Sequence, residues 1–159
     1  MDINNTTLRK ILSEFATGVC IVAVGDDPKN ILGVTINSFT SVSMEPPLVM
    51  YCMKTKAESF EKVMKFPKFS INILAHDHDD LAMKCVMRGG HVIETSQFEF
   101  SKSGIPFLSD SIASIECEVE TTYPGGDHTI ILGKVIALNH PRDTKPLIFH
   151  RSKFLRPID

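Results

Sequence analysis

The sequence predicts a mainly β protein, a closed or nearly closed antiparallel barrel with a few short helices, and three observations carry that prediction. Short β-branched or apolar runs recur between strong turn signals. One of them, Ser114 to Tyr123, alternates strictly, with Ile115, Cys117, Val119 and Thr121 on one side and Glu116, Glu118 and Glu120 on the other. The helical stretches do not alternate regularly with the strands, which argues against a doubly wound parallel sheet, whereas barrel closure removes exposed strand edges.

The elements follow in order. Thr6 to Phe15 reads as a helix, with Leu8, Ile11, Leu12 and Phe15 at helical spacing and Asn5 or Thr6 as its cap. Thr17 to Val24 is a β-branched strand that ends at Gly25-Asp26-Asp27-Pro28, and Ile31 to Ile36 returns as the second arm of a hairpin. Asn37 to Ser43 is a hydroxyl-rich segment, broken at Met44-Glu45-Pro46-Pro47, and Leu48 to Met53 is a buried-type strand. Ser59 to Lys65 reads as a short helix stopped by Pro67. Phe69 to Leu74 is a strand, and His76-Asp77-His78-Asp79-Asp80 leads into a helix through about Met87. Gly89 to Gly104 carries no clear period. Ser114 to Tyr123 turns through Pro124-Gly125-Gly126-Asp127 into a partner strand, His128 to Asn139. Pro141 to Pro146 is a turn before a last strand near Leu147 to His150. The count is six or seven strands and two or three short helices, with no repeat, linker or low-complexity segment, so residues 1–159 read as one domain.

Composition narrows the function classes. The 159 residues are 43% hydrophobic and 23% charged, with a net charge of -2 and no basic stripe, which disfavours nucleic acid. The apolar runs are far too short to span a bilayer, and the polar stretch Met1 to Lys10 lacks the apolar region of a secretion signal, so a cytoplasmic location is expected. Cys20, Cys52, Cys85 and Cys117 are scattered, and free buried thiols are the expectation rather than disulfides or zinc.

Four segments carry candidate chemistry. Asn37 to Ser43, straight after a strand, aims hydroxyl and amide donors either at a phosphate or at its own backbone as a turn. Lys54 to Ser59 opens a helix, where Lys54 and the first amides suit an anion, or where Thr55 or Ser59 simply caps. His128, after Asp127, opens a strand and is suited to hydrogen bonding or proton movement, or is an ordinary surface histidine. His76 and His78 among three aspartates suggest a metal, but a solvated turn and helix cap suit them better. There is no Gly-x-Gly-x-x-Gly and no P-loop.

Taken in order, Phe15-Ala16-Thr17-Gly18-Val19, Gly33-Val34-Thr35-Ile36-Asn37-Ser38-Phe39-Thr40-Ser41-Val42-Ser43 running into Met44-Glu45-Pro46-Pro47-Leu48-Val49, Phe69-Ser70-Ile71-Asn72-Ile73-Leu74, Gly126-Asp127-His128-Thr129-Ile130 and Phe149-His150-Arg151-Ser152-Lys153-Phe154 resemble the short-chain flavin reductase family over nearly the whole chain. The resemblance implies the FMN-binding split-barrel fold, a homodimer, FMN or sometimes FAD, NAD(P)H as co-substrate, and delivery of reduced flavin to a partner oxygenase. By position it implies that Thr35, Ile36 and Asn37 line the isoalloxazine, largely through backbone groups. Ser38, Thr40, Lys54 and Thr55 would hold the ribityl chain and phosphate, Asn72 and the backbone at Ala75 would flank the ring, and His128 would approach the nicotinamide. Phe154-Leu155 stands where members commonly carry Tyr, often Tyr-His, so a hydroxyl and an imidazole near the flavin are missing. Rival readings are a flavoredoxin-like electron carrier, a relative of pyridoxamine phosphate oxidase, and a non-catalytic domain that has lost flavin.

Overall fold

The fold was analysed in a computed structural model, which describes residues 3–86, 95–140 and 142–157. The chain begins with helix α1 (Asn5–Leu12), capped by the Asn4 carboxamide oxygen, which accepts the Thr7 N–H at 2.9 Å. The cap therefore sits one residue before the earlier of the two positions expected. The first strand is split in two: β1 (Thr17–Gly18) pairs with β11 (Ile148–His150), and β2 (Cys20–Val24) enters the main sheet. The main sheet also contains β3 (Leu32–Ile36), β4 (Thr40–Met44), β5 (Pro47–Lys54), β6 (Lys68–Ile73), β9 (Ala113–Gly125) and β10 (His128–Asn139). Its order is β3-β2-β6-β9-β10-β5-β4, and every pairing is antiparallel.

This architecture is mainly β, but no ladder closes the sheet: β3 and β4 are its edges. Edge β3 nevertheless approaches β5, leaving a seam between them. The hydroxyl-rich segment, expected as a turn or an anion loop, forms edge strand β4 over Thr40–Met44. Its alternating Thr, Val and Ser side chains fit a pleated edge, and its pairing with β5 stops at Thr40↔Met50. Beyond that point the Ser38 hydroxyl takes over. It accepts the Cys52 N–H at 2.9 Å and donates to the Cys52 carbonyl at 3.1 Å, so a side chain satisfies backbone that the ladder leaves open.

Strand β2 explains itself by position. Cys20, Val22 and Val24 face one core with Tyr51, Phe69 and Ile131, while Ile21 and Ala23 face a second with Leu74, Leu108 and Leu147. Both faces are covered, which is why the sequence runs apolar without alternation. Helix α3 (Asp79–Val86) buries Leu81, Ala82 and Cys85 into the second core, and the Thr35 hydroxyl donates to the Ala82 carbonyl at 2.8 Å. Met87, where the sequence reading ends this helix, and the part of the unpatterned stretch at 89–94 lie outside the described residues.

Several expectations are corrected. The second helix, α2, covers only Phe60–Val63. Two short strands, β7 (Phe98–Phe100) and β8 (Pro106–Leu108), lie in and just after the stretch that carried no period. Glu116, assigned to a charged outer face, is buried, and its carboxylate accepts the Ser101 hydroxyl at 2.9 Å. A final strand, β12 (Lys153–Leu155), pairs with β11 through a turn at Arg151 and Ser152, both with positive φ of 49° and 61°. Arg-Ser lacks the Gly or Asn that marks such a turn in sequence, so the strand went unread. All four cysteines are free, and among the described residues no helix is long and apolar enough to cross a membrane.

Gly133 is a buried position of β10 at a register shift, where an added Cβ would come 2.5 Å from Phe69 Cζ and 3.1 Å from Cys117 Cβ. Phe69 has no room to yield, because its ring packs edge-on against Tyr51 at 5.3 Å between centroids. Gly133→Ala is expected to cost about 1–3 kcal/mol, read as a lowered urea midpoint. An unchanged midpoint would show that this part of the sheet has slack.

Candidate functional site

The seam between β3 and β5 opens into a cavity of about 320 Å³, near the lower end of small-molecule pockets. Thr35, Ile36, Asn37 and Ser38 form one wall, and Cys52, Met53 and Lys54 form the other. The 54–59 loop adds Ala57 and Ser59, α3 adds Cys85 and Val86, and the start of β10 adds His128. Asn37 and Ser38 also line a second cavity of about 540 Å³ with Phe15, Thr17 and Thr40. A third space, about 130 Å³ and apolar, lies between Thr35–Asn37, Val86, Phe149 and Phe154.

Local sequence explains how each wall is placed. The β5 alternation sends Val49, Tyr51 and Met53 into the core and leaves Cys52 and Lys54 on the other face. His128 sits opposite Lys54 in the β10–β5 ladder. Gly126 takes φ 72°, which lets the β9–β10 hairpin turn tightly and delivers His128 to the cavity rim. The Asp127 carbonyl accepts the Thr55 N–H at 3.0 Å, and the Thr55 and Thr129 hydroxyls are 3.2 Å apart, so the 54–59 loop and the hairpin are tied together.

Thus Thr35, Ile36, Asn37, Ser38, Lys54 and His128, grouped by the family resemblance, line one cavity, and Phe154 meets Thr35, Ile36 and Asn37 across the apolar space. Other expected residues are engaged elsewhere. Thr40 faces the second cavity, and the Thr55 hydroxyl and amide serve the hairpin. The Ser38 hydroxyl is occupied by Cys52, which leaves its backbone for a ligand. Asn72 is fully buried: its amide donates to the Ile21 carbonyl and the Ser70 hydroxyl, and its oxygen accepts from Leu108 N–H and the Ser114 hydroxyl. With four partners it has nothing to offer a cofactor. Ala75 is likewise buried, and its N–H donates to His78 Nδ1 at 3.2 Å.

The expected helix N-terminus does not materialise as an anion site, because α2 has only four residues. Ser59 instead supplies a different signal. It is 2% exposed, its hydroxyl caps nothing, and Oγ is buried without a hydrogen-bond partner, while the residue lines the same cavity as Lys54. A buried hydroxyl without a partner is costly, so an acceptor arriving in the cavity would relieve it. A lysine and a buried serine in one cavity, which shares Thr35, Ile36, Asn37 and Val86 with an apolar space, suit a ring-bearing phosphate ester. The cavity's two thiols are neutral walls: burial raises Cys52 and pushes Cys85 up to about 11.

Sequence reasoning weighed Ser59 only as a cap or donor and did not single out Cys52, Met53, Ala57, Cys85 or Val86. The period of two along β5 marks Cys52 as a neighbour of Lys54. Nothing in the sequence links α3 to β3, since that contact is tertiary. His76 and His78 do not gather ligands: His78 Nε2 approaches Asp110 at 3.2 Å, Asp77 pairs with Arg142 at 2.8 Å, and no group of three metal-type side chains forms among the described residues.

Comparison with known proteins gives consistent matches. Residues 12–156 match the family described as flavin reductase like domain. The FMN reductase (NADH) SmoA of Agrobacterium fabrum is 33% identical over 96% of this chain and 86% of its own length. HsaB, the reductase subunit of a flavin-dependent monooxygenase of Rhodococcus jostii, is 32% identical over 92% of this chain and 74% of its own. The Streptomyces globisporus NADH:FAD oxidoreductase SgcE6, solved in complex with NAD and FAD fragments, superposes with a TM-score of 0.89 at 31% identity, covering 98% of this chain and 93% of that one.

Proposed function

The chain belongs to the flavin reductase-like family, and from that premise we propose that it is an NADH-dependent flavin reductase acting at the β3–β5 seam. FMN is the flavin proposed, with FAD as the alternative, and the observation that carries the assignment is the unpartnered buried hydroxyl of Ser59, a residue that shares with Lys54 a cavity that His128 also borders. Bound flavin supplies the hydride-accepting ring, so the protein needs no acid–base pair of its own.

What the chain's residues do is bind, orient and exclude water. The backbone of Thr35 to Ser38 lies along one wall, and Ile36 and Val86 present apolar surface. Lys54 and Ser59 hold the phosphate, a charge-assisted contact in a partly dry site. Phe154 closes the apolar end by packing on Phe149 at 5.5 Å between ring centroids. His128 positions the nicotinamide at the open rim, so reductant and flavin meet in register, which lowers the entropic part of the barrier.

The assembly follows the same reading. Residues 1–159 form one domain on the split-barrel plan, with the open seam as the split. The chain works as a cytoplasmic homodimer that hands reduced flavin to an oxygenase. Leu12, Phe15 and Met44 are 63%, 77% and 89% exposed on α1, the segment after it and edge strand β4, an apolar set that supports burial against a second copy.

Steady-state oxidation of NADH in the presence of FMN or FAD tests the proposal; a flavin-dependent turnover is expected, and its absence with both flavins refutes it. His128→Ala is expected to cut kcat/KM for NADH by roughly tenfold, the loss of one hydrogen bond, while the FMN dissociation constant moves little. An unchanged KM and kcat would remove His128 from the reductant site.

A further inference from the structure

We propose that Asp127 is a positioning residue that fixes the neutral His128 ring as its Nδ1–H tautomer, so that Nε2 meets the reductant as a hydrogen-bond acceptor. The ligand side of this inference rests on the reductase reading above; the tautomer does not.

The geometry leaves little choice. His128 Nδ1 lies 2.8 Å from Asp127 Oδ1. An ionised carboxylate only accepts, so Nδ1 carries the hydrogen and, in the neutral ring, Nε2 keeps the lone pair. Neighbours in sequence form this pair, and their backbone is already fixed. Gly126 sets the turn, the Asp127 carbonyl is held by the Thr55 N–H, and His128 is locked in the ladder opposite Lys54. The fixed backbone holds the two side chains within reach of one another, which lowers the entropic cost of the contact although Asp127 is 78% and His128 43% exposed. Lys54, the charged group facing His128 from β5, carries only donors and so offers Nδ1–H no competing partner. The thiols of Cys52 and Cys85 in the same cavity are neutral.

The consequence is a preference for a particular chemistry at the rim. A group facing Nε2 must bring an N–H or O–H. The primary carboxamide of nicotinamide brings an N–H, whereas an acetyl group in its place brings only an acceptor and methyl hydrogens. The Asp127–His128 pair therefore selects carboxamide-bearing dinucleotides over their acetylpyridine counterparts, an effect separable from hydride transfer.

Two measurements test it. In the full chain labelled with ¹⁵N-histidine, at a pH where the ring is neutral and with the His128 signals identified by their loss in His128→Gln, the nitrogen shifts should show protonated Nδ1 and bare Nε2. Asp127→Ala should move the proton to Nε2, and Asp127→Glu should restore it. Dissociation constants of NAD⁺ and its oxidised acetylpyridine analogue, measured with flavin bound, should differ by roughly tenfold in the wild type and in Asp127→Glu and become nearly equal in Asp127→Ala. A wild-type ring protonated on Nε2, or a ratio untouched by Asp127→Ala, overturns the proposal. The shifts are read on the free protein, so a wrong tautomer leaves flavin reduction by NADH standing, and absence of that reduction defeats the functional reading whatever the tautomer.

Discussion

Ser59→Ala is expected to weaken FMN binding by roughly 10–100-fold while leaving the flavin-free protein as stable as before, or slightly more so. The two halves of this result have one cause. Ser59 Oγ is buried without a partner, so in the free protein the hydroxyl contributes a desolvation penalty and no bond. It caps no helix amide either, so its removal costs α2 nothing. Against a phosphate the same hydroxyl makes a hydrogen bond to a charged acceptor, worth about 1.5–3 kcal/mol, which sets the expected loss of affinity. Quenching of flavin fluorescence gives the affinity and a urea titration gives the stability. A variant that loses stability but binds FMN normally would assign Ser59 to the fold and vacate the phosphate site.

Asn72→Ala is expected to do the reverse: a loss of about 3–5 kcal/mol in stability, with the flavin affinity of the remaining folded protein within about twofold of normal. Asn72 joins β2, β6, β8 and β9 through four buried hydrogen bonds of 2.7–3.0 Å. Alanine leaves the Leu108 N–H without its acceptor inside the core and removes one partner each from Ser70 and Ser114. Chemical denaturation followed by circular dichroism reads the first effect and flavin titration the second. A stable variant with impaired FMN binding would return Asn72 to the flavin, where the family resemblance put it.

Ser59 and Asn72 together show what the sequence can and cannot say. Strands with strict alternation or strong turn residues were legible: β9 and β10 follow from the Glu side, the Ile and Val side, and Pro124-Gly125-Gly126-Asp127. Residues on one strand and its flanking loop were legible too, Thr35 to Ser38 as one group and Lys54 to Ser59 as another, whereas only the family resemblance implied that the two groups meet, as they do in one cavity. Tertiary contacts were not. The pairing of Glu116 with Ser101, the packing of Cys85 beside Thr35, and the turn at Arg151-Ser152 leave no local period or turn signature. The same limit explains the misplaced hydroxyls. Sequence position groups Ser38, Thr40 and Thr55 as donors, but each hydroxyl's partner is fixed by the seam: Cys52 for Ser38, Thr129 for Thr55, and a neighbouring cavity for Thr40. Phe154 stands where a tyrosine was expected; the space beside it is lined by Val19, Ile36, Val86 and Phe149 together with Thr35 and Asn37, and the Thr35 hydroxyl is already committed to the Ala82 carbonyl.

The central claim, hydride transfer from NADH to flavin at the β3–β5 seam, is tested most directly by the anaerobic absorbance of an FMN solution containing a catalytic amount of the protein. On addition of NADH the oxidised-flavin band at about 450 nm should bleach at a rate proportional to protein concentration. A flavin band that persists with NADH and again with NADPH, for FMN and for FAD alike, would contradict the account.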